Sequence, residues 1–244
     1  ASTADTYNVA VGYAAGTAIT SGTQNTIIGG LAGDALTTSS GNTAVGYQSL
    51  SAQTTHGTNT AFGYRTLNVQ NVGSFAYNTA IGYDAGQSVT TGVENTIVGS
   101  LAGDALTTGT YNTLVGKSAG SALIGGGYNT AIGGLALDAE TAHGFNVAVG
   151  YAALTNQNAG AHTYSTAVGT SAGQSVTTGT NNTIVGGLAG DALTTGSYNT
   201  LLGKSAGSDL TTGTKNTFGG VLSGGDTTIG NFNTALGYDS LRKN

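Results

Sequence analysis

Proline, cysteine, methionine and tryptophan are all absent from these 244 residues, and charged side chains make up only 7% of them. Without cysteine there are no disulfides and no thiolate metal sites. Six Lys and Arg against eleven Asp and Glu give a net charge of −5, which leaves no basic stripe for a phosphate backbone and argues against a nucleic-acid partner. No apolar run approaches the roughly 20 residues of a membrane-spanning helix and no signal peptide is evident, so membrane insertion is not expected. The absence of proline also fits a continuous strand ladder, because every backbone N–H remains free to donate.

What is abundant is glycine, 43 of 244 residues, and the motif Asn-Thr-Ala-Val-Gly, as at Asn42 to Gly46. Copies start at Asn8, Asn25, Asn42, Asn59, Asn78, Asn95, Asn112, Asn129, Asn146, Ser165, Asn182, Asn199, Asn216 and Asn233, 17 residues apart except for 19-residue steps from Asn59 and Asn146. A glycine-rich chain of low hydrophobicity would otherwise suggest disorder, but disorder gives no reason to keep apolar residues in phase. A fixed short period over a whole chain predicts repeats that bury their apolar edges against their neighbours. The fold class expected is all-β: a single parallel β-solenoid, or β-roll, of 14 coils over residues 1–244.

Numbering each coil from its Asn, position 5 is Gly in all fourteen copies, which implies positive φ or a close backbone approach, and Asn at position 1 suggests a second corner. Position 2 is Thr in twelve coils and position 4 is Val, Ile, Leu or Phe in all but one. Together they predict a short strand whose inner face carries positions 2 and 4. Position 3 then points outward, and its larger members Ile27, Ile97, Leu114, Ile184 and Leu201 would form an apolar stripe for self-association, unless the strand is sandwiched within a wider roll.

Position 8 is always small. Positions 9 and 12 trade volume: Gly33, Gly103 and Gly190 accompany Leu36, Leu106 and Leu193, whereas Leu50, Leu67, Leu137 and Leu154 accompany Gln53, Gln70, Glu140 and Gln157. Such a swap conserves core volume and defines two coil types. The 19-residue coils lie 87 residues apart, and Leu101 to Gly109 repeats as Leu188 to Gly196 at that same offset. The chain reads as a duplication of five-coil blocks. Low charge suits stacked identical positions, where like charges repel and Asn, Thr and aromatic rows pack well.

Asn42 to Leu50 resembles the repeat of tail-fibre-like and adhesin-like proteins of phages and marine microbes, and is similar to the Ser-Val-Ala-Ile-Gly repeat of trimeric autotransporter adhesin heads. That resemblance implies a left-handed parallel β-roll, trimeric assembly and an extracellular, cell-surface or virion location. Fourteen coils would measure roughly 65 to 70 Å. The short lead before Asn8 and the open coil at Leu241 to Asn244 predict that the rod continues in a longer chain or stacks on another copy.

Chemistry is sparse. Gly29 to Thr37 and Gly186 to Thr194 come close to a calcium-binding nonapeptide, but Ala32 and Ala189 replace its fourth glycine, and one Asp per several coils cannot supply six to eight oxygens. Asp209 and Asp226 share position 11 of adjacent coils and should repel, with Lys215 nearby to compensate. His56, His143 and His162 are isolated in sequence, and neither Glu94 nor Glu140 has a second acid placed for hydrolysis. No enzyme activity, cofactor or metal is expected. Asn181-Asn182-Thr183 is the only N-glycosylation sequon.

The function expected is a non-catalytic structural or adhesive fibre segment that assembles with itself, laterally as a trimer or end to end. An ice-binding or glycan-binding solenoid is the alternative, motivated by Thr-Gly-Thr at Thr108, Thr178 and Thr212. Two extra residues cannot enter a fixed ladder, so the 19-residue coils should carry loops, projecting from one side at intervals of roughly 24 Å. Their candidate contacts with a glycan or other surface are Gln70, Asn71, Phe75, Tyr77, Gln157, Asn158, His162 and Tyr164.

Overall fold

The computed structural model describes residues 6–242, so Lys243 and Asn244 of the expected open coil lie outside the described residues. The fold is an all-β parallel β-solenoid. Each motif forms one three-residue strand, and no helix occurs among the described residues.

The chain divides into two compact units, Ala1–Gly125 and Gly126–Asn244. The first holds β1 (Val9–Val11), β2 (Thr26–Ile28), β3 (Thr43–Val45), β4 (Thr60–Phe62), β5 (Thr79–Ile81), β6 (Thr96–Val98) and β7 (Thr113–Val115). The second holds β8 (Thr130–Ile132), β9 (Val147–Val149), β10 (Thr166–Val168), β11 (Thr183–Val185), β12 (Thr200–Leu202), β13 (Thr217–Gly219) and β14 (Thr234–Leu236). Within each unit every strand pairs in parallel with its neighbours in sequence, motif position against motif position, as in Ala80↔Ile97 and Ile184↔Leu201. The register holds across the 19-residue steps too: Thr60 still faces Thr79, and Val147 faces Thr166.

The strand faces are the reverse of the sequence expectation. Position 3 points into the coil, and Ile27, Ile97, Leu114, Ile184 and Leu201 are all 0% exposed, so they form the core and cannot be a self-association stripe. Positions 2 and 4 point outward. The physical reason is width: the coil is narrow under the strand, and an Ala, or an Ile or Leu beside a Gly at position 9, fills that space. Thr at position 2 would bring a hydroxyl inside with nothing to bond.

The volume exchange between positions 9 and 12 is seen directly. Gly33 has φ +51, and a Cβ there would lie 2.7 Å from Leu36 Cδ1 and 3.4 Å from Ile27 Cδ1. In the other coil type Leu50, Leu67, Leu137 and Leu154 fill the same space, and all are fully buried. Burying one such side chain contributes about 1.5–3 kcal/mol. Small residues at position 8, such as Ala102 and Ala119, close the inner corner.

The glycine at position 5 is obligatory for two reasons. Gly46 has φ +129, and a Cβ on it would stand 2.2 Å from the carbonyl oxygen of Gly63 in the next coil. Asn at position 1 has a different role from the corner expected. The left-handed residue is the one before it, as at Tyr77 (φ 50) and Tyr198 (φ 61). The Asn side chain is buried instead, with its Oδ1 accepting the backbone N–H of the next Asn: Asn42 donates to Asn25 at 3.0 Å and Asn199 to Asn182 at 2.9 Å. Its Nδ2 donates back to the preceding Asn and to a corner carbonyl fourteen residues on, as Asn199 does to Asn182 Oδ1 (3.2 Å) and Gly213 O (2.9 Å). This amide ladder supplies the hydrogen bonds of a corner that has no strand partner.

Candidate interaction face

With position 3 inside, the outer face of each unit carries two parallel rows. In the first unit Thr26, Thr43, Thr60, Thr79, Thr96 and Thr113 form one, and Ile28, Val45, Phe62, Ile81, Val98 and Val115 the other. Phe62 is 53% exposed and Ile81 39%. The second unit continues the pattern with Ile132, Val149, Val168, Val185 and Leu202. Neither row contains a charge, and the hydroxyls of the Thr row have no protein hydrogen-bond partner among the described residues. A parallel in-register sheet sets successive members of each row about 4.8 Å apart along the stack. An uncharged, repeating, half-apolar surface of this kind is what a contact surface requires.

Beside this face the position 6 tyrosines stack as the sequence suggested: Tyr47 on Tyr64 with ring centroids 5.6 Å apart, and Tyr64 on Tyr83 at 5.2 Å. Arg65 lies 5.2 Å over the Tyr64 ring and forks onto Asp84 through Nε (3.0 Å) and Nη2 (2.8 Å). The Asp84 hydrogen bond holds the Arg65 guanidinium above its ordinary pKa.

The 19-residue coils do carry excursions. In the first, Asn71 N still donates to Thr90 O, the chain then swings out through Gly73, Ser74 and Phe75, and Ala76 N returns to Gly57 O. Phe75 and Tyr77 are exposed there, and their rings pack at 5.9 Å, with His56 edge-on to Phe75 at 5.8 Å. In the second, Tyr128, Phe145 and Tyr164 stack at 5.1 and 5.2 Å, and His162 stands edge-on to Phe145 at 5.0 Å. Asn71, Asn158, His162 and Tyr164 are also on the surface. Gln70 and Gln157 are not: both are 0% exposed and take no part in an outer surface, because position 12 faces the interior in coils with Leu at position 9.

Coil stacking brings together residues that are far apart in sequence. His143 and His162 have ring centroids 6.1 Å apart, and His143 Nδ1 lies 3.3 Å from the Oε1 of the fully buried Glu140. His162 Nδ1 accepts the Gly144 N–H at 3.2 Å. No group of three His, Cys, Asp or Glu suited to a metal ion occurs among the described residues. Asp191 has its pKa raised, first by burial and also by the charge of Asp209 in the next coil. Asp226 finds its cation in Arg242, 3.9 Å away, whereas Lys215 sits over the Phe232 ring at 4.9 Å.

The first threonine of each Thr-Gly-Thr segment, Thr108, Thr178 and Thr212, is exposed. Thr37 Oγ1 and Thr107 Oγ1, just before the exposed position-14 threonines, donate to the carbonyls of Thr54 and Ile124. Thr214, the second Thr of its segment, bonds Asn231 Oδ1. The threonine row on the sheet itself is position 2, expected to face inward and found facing outward. The signal that could have shown this is covariation: each of the coils with Ile, Leu or Phe at position 3 has Gly at position 9, so the two positions share one space. No protein-family model, curated protein or solved structure matches this chain.

Proposed function

We propose that this chain is a non-catalytic structural segment of an extracellular or virion fibre that assembles with copies of itself through the outer sheet face. The observation that carries the reading is the outward-facing row of Ile28, Val45, Phe62, Ile81, Val98 and Val115, apolar and uncharged at every step in the first unit, with Ile28, Phe62 and Ile81 exposed and the three valines half-buried. A lone chain gains nothing by holding such residues in water, whereas a partner with the same repeat meets every one of them in register. Replacing Phe62 and Ile81 together by Asp tests this, since neither side chain is part of the core. The variant should stay folded by circular dichroism and sediment as a monomer where the parent chain is oligomeric. An oligomer unchanged by both charges would rule the face out.

A second reading has one observation in its favour. The Thr row beside the apolar row, with hydroxyls free of protein partners, is a regular array of the kind an ice plane or a polysaccharide could meet. A monodisperse monomer that slows ice growth, or is retained on a polysaccharide matrix, would favour that reading over assembly.

A further inference from the structure

The 87-residue duplication places the same inward-facing corner in both units, with one change of chemistry. In the first unit it is Gln53 above Gln70, in the second Glu140 above Gln157, and all four side chains are 0% exposed. Each pair lies in adjacent coils 17 residues apart, where in-register stacking sets backbones about 4.8 Å apart. That separation is roughly twice a hard cation's bond to oxygen, ~2.4 Å.

The hydrogen-bond inventories of the two corners differ. In the first, Gln53 Oε1 and Gln70 Oε1 have no donor, and Asn59 Nδ2 has no acceptor. Asn59 lacks one because the residue fourteen on, Gly73, has left with the loop. Two acceptors and one donor, all neutral, are complementary to a single water molecule. In the second corner Glu140 Oε2 and Gln157 Oε1 are unpartnered. The equivalent amide, Asn146 Nδ2, is already engaged with Asn129 Oδ1 (3.3 Å) and Gly144 O (3.5 Å). Gln157 cannot turn round to donate, since its Nε2 is held by Gly179 O at 3.1 Å. The other Glu140 oxygen, Oε1, takes the N–H groups of Thr141 (3.1 Å), Ala142 (3.2 Å) and His143 (3.0 Å). What faces the interior is therefore acceptors alone, one of them on a carboxylate.

We propose that the Glu140–Gln157 corner binds one partly hydrated monovalent cation of the sodium or potassium class, and that the Gln53–Gln70 corner does not. Leaving a buried carboxylate oxygen without a partner is costly, and the three N–H groups and His143 all meet Oε1, none of them Oε2. Oxygen ligands select a hard ion. A single carboxylate beside a neutral amide oxygen balances one positive charge, whereas a divalent ion would leave a net charge buried. This inference is independent of the assembly reading, because the corner is internal.

The test is thermal unfolding of the full chain at equal ionic strength in sodium, potassium, calcium or choline chloride. The midpoint should rise with sodium or potassium over choline by roughly 2–4 °C, the size expected for a site of moderate occupancy in a chain of this length, and the rise should saturate with concentration. Glu140→Gln, which recreates the first corner's side chain, should abolish the difference. Should that variant fail to fold, Gln157→Leu removes the second oxygen and should abolish it equally. Equal midpoints in sodium, potassium and choline, a rise confined to calcium, or a rise that survives either substitution would overturn the proposal.

Discussion

Replacing Asn199 by Ala removes one rung of the buried amide ladder, and the cost can be worked from the bonds it makes. Its Oδ1 accepts from the backbone N–H of Asn216 (3.0 Å) and from Asn216 Nδ2 (3.1 Å), while its own Nδ2 donates to Asn182 Oδ1 (3.2 Å) and Gly213 O (2.9 Å). Four bonds are lost, each about 1 kcal/mol net, and the Asn216 N–H and Gly213 carbonyl are left buried without these partners. The expected destabilisation is about 3–5 kcal/mol, large for a polar truncation. Thr200→Ala, one residue on and facing outward, is the control and should stay within about 0.5 kcal/mol of the parent. Equilibrium urea unfolding, followed by circular dichroism with its slope checked for constancy, measures both. If Asn199→Ala falls within about 1 kcal/mol of the control, the ladder is not what holds the corner together.

Gly46→Ala, with φ +129 and a clash at 2.2 Å, should cost at least about 3 kcal/mol or prevent folding, whereas Gly73→Ala, with nothing within 4 Å, should be neutral in the same urea titration. Ser165 is a weak rung, accepting the Asn182 N–H at only 3.5 Å. Ser165→Asn should therefore raise stability by about 1 kcal/mol, read as a higher urea midpoint. Asp191, whose pKa is raised chiefly by burial, favours its protonated form in the fold. Its contribution is fully present below the ordinary carboxylate pKa and is lost as pH rises through the raised one, so Asp191→Asn should be more stable than the parent at neutral pH, with the gap closing on acidification.

Period, coil boundaries, the obligatory glycine and the exchange between positions 9 and 12 could all be read from the sequence, because each is enforced at a fixed step in coil after coil. The facing of the strand could not be read from alternation. A three-residue strand such as Thr79-Ala80-Ile81 offers a single alternation, and the larger residues at its ends imitate a core. What decides the facing is the space across the coil: a Cβ on Gly86 would stand 2.9 Å from Ile97 Cδ1 and 3.2 Å from Leu67 Cδ2, side chains from the coils on either side. Three coils, not one, share that volume. The burial of Gln70 and Gln157 was hidden for a related reason, since both sit in segments that later swing out as loops. Their spacing from Leu67 and Leu154, the same as that of Gln53 from Leu50, is the sign that they belong to the interior.

The central claim, that positions 2 and 4 form the contact face while position 3 is internal, is open to direct measurement because the chain has no cysteine of its own. Single variants Ala80→Cys and Ile81→Cys differ by one residue on β5, and their rates of maleimide labelling in the folded protein can be followed over a dilution series. Ala80→Cys should be protected at every concentration, while Ile81→Cys should react quickly when dilute and be progressively shielded as the protein is concentrated. Equal labelling of the two positions, or labelling at 81 that is indifferent to concentration, would contradict it.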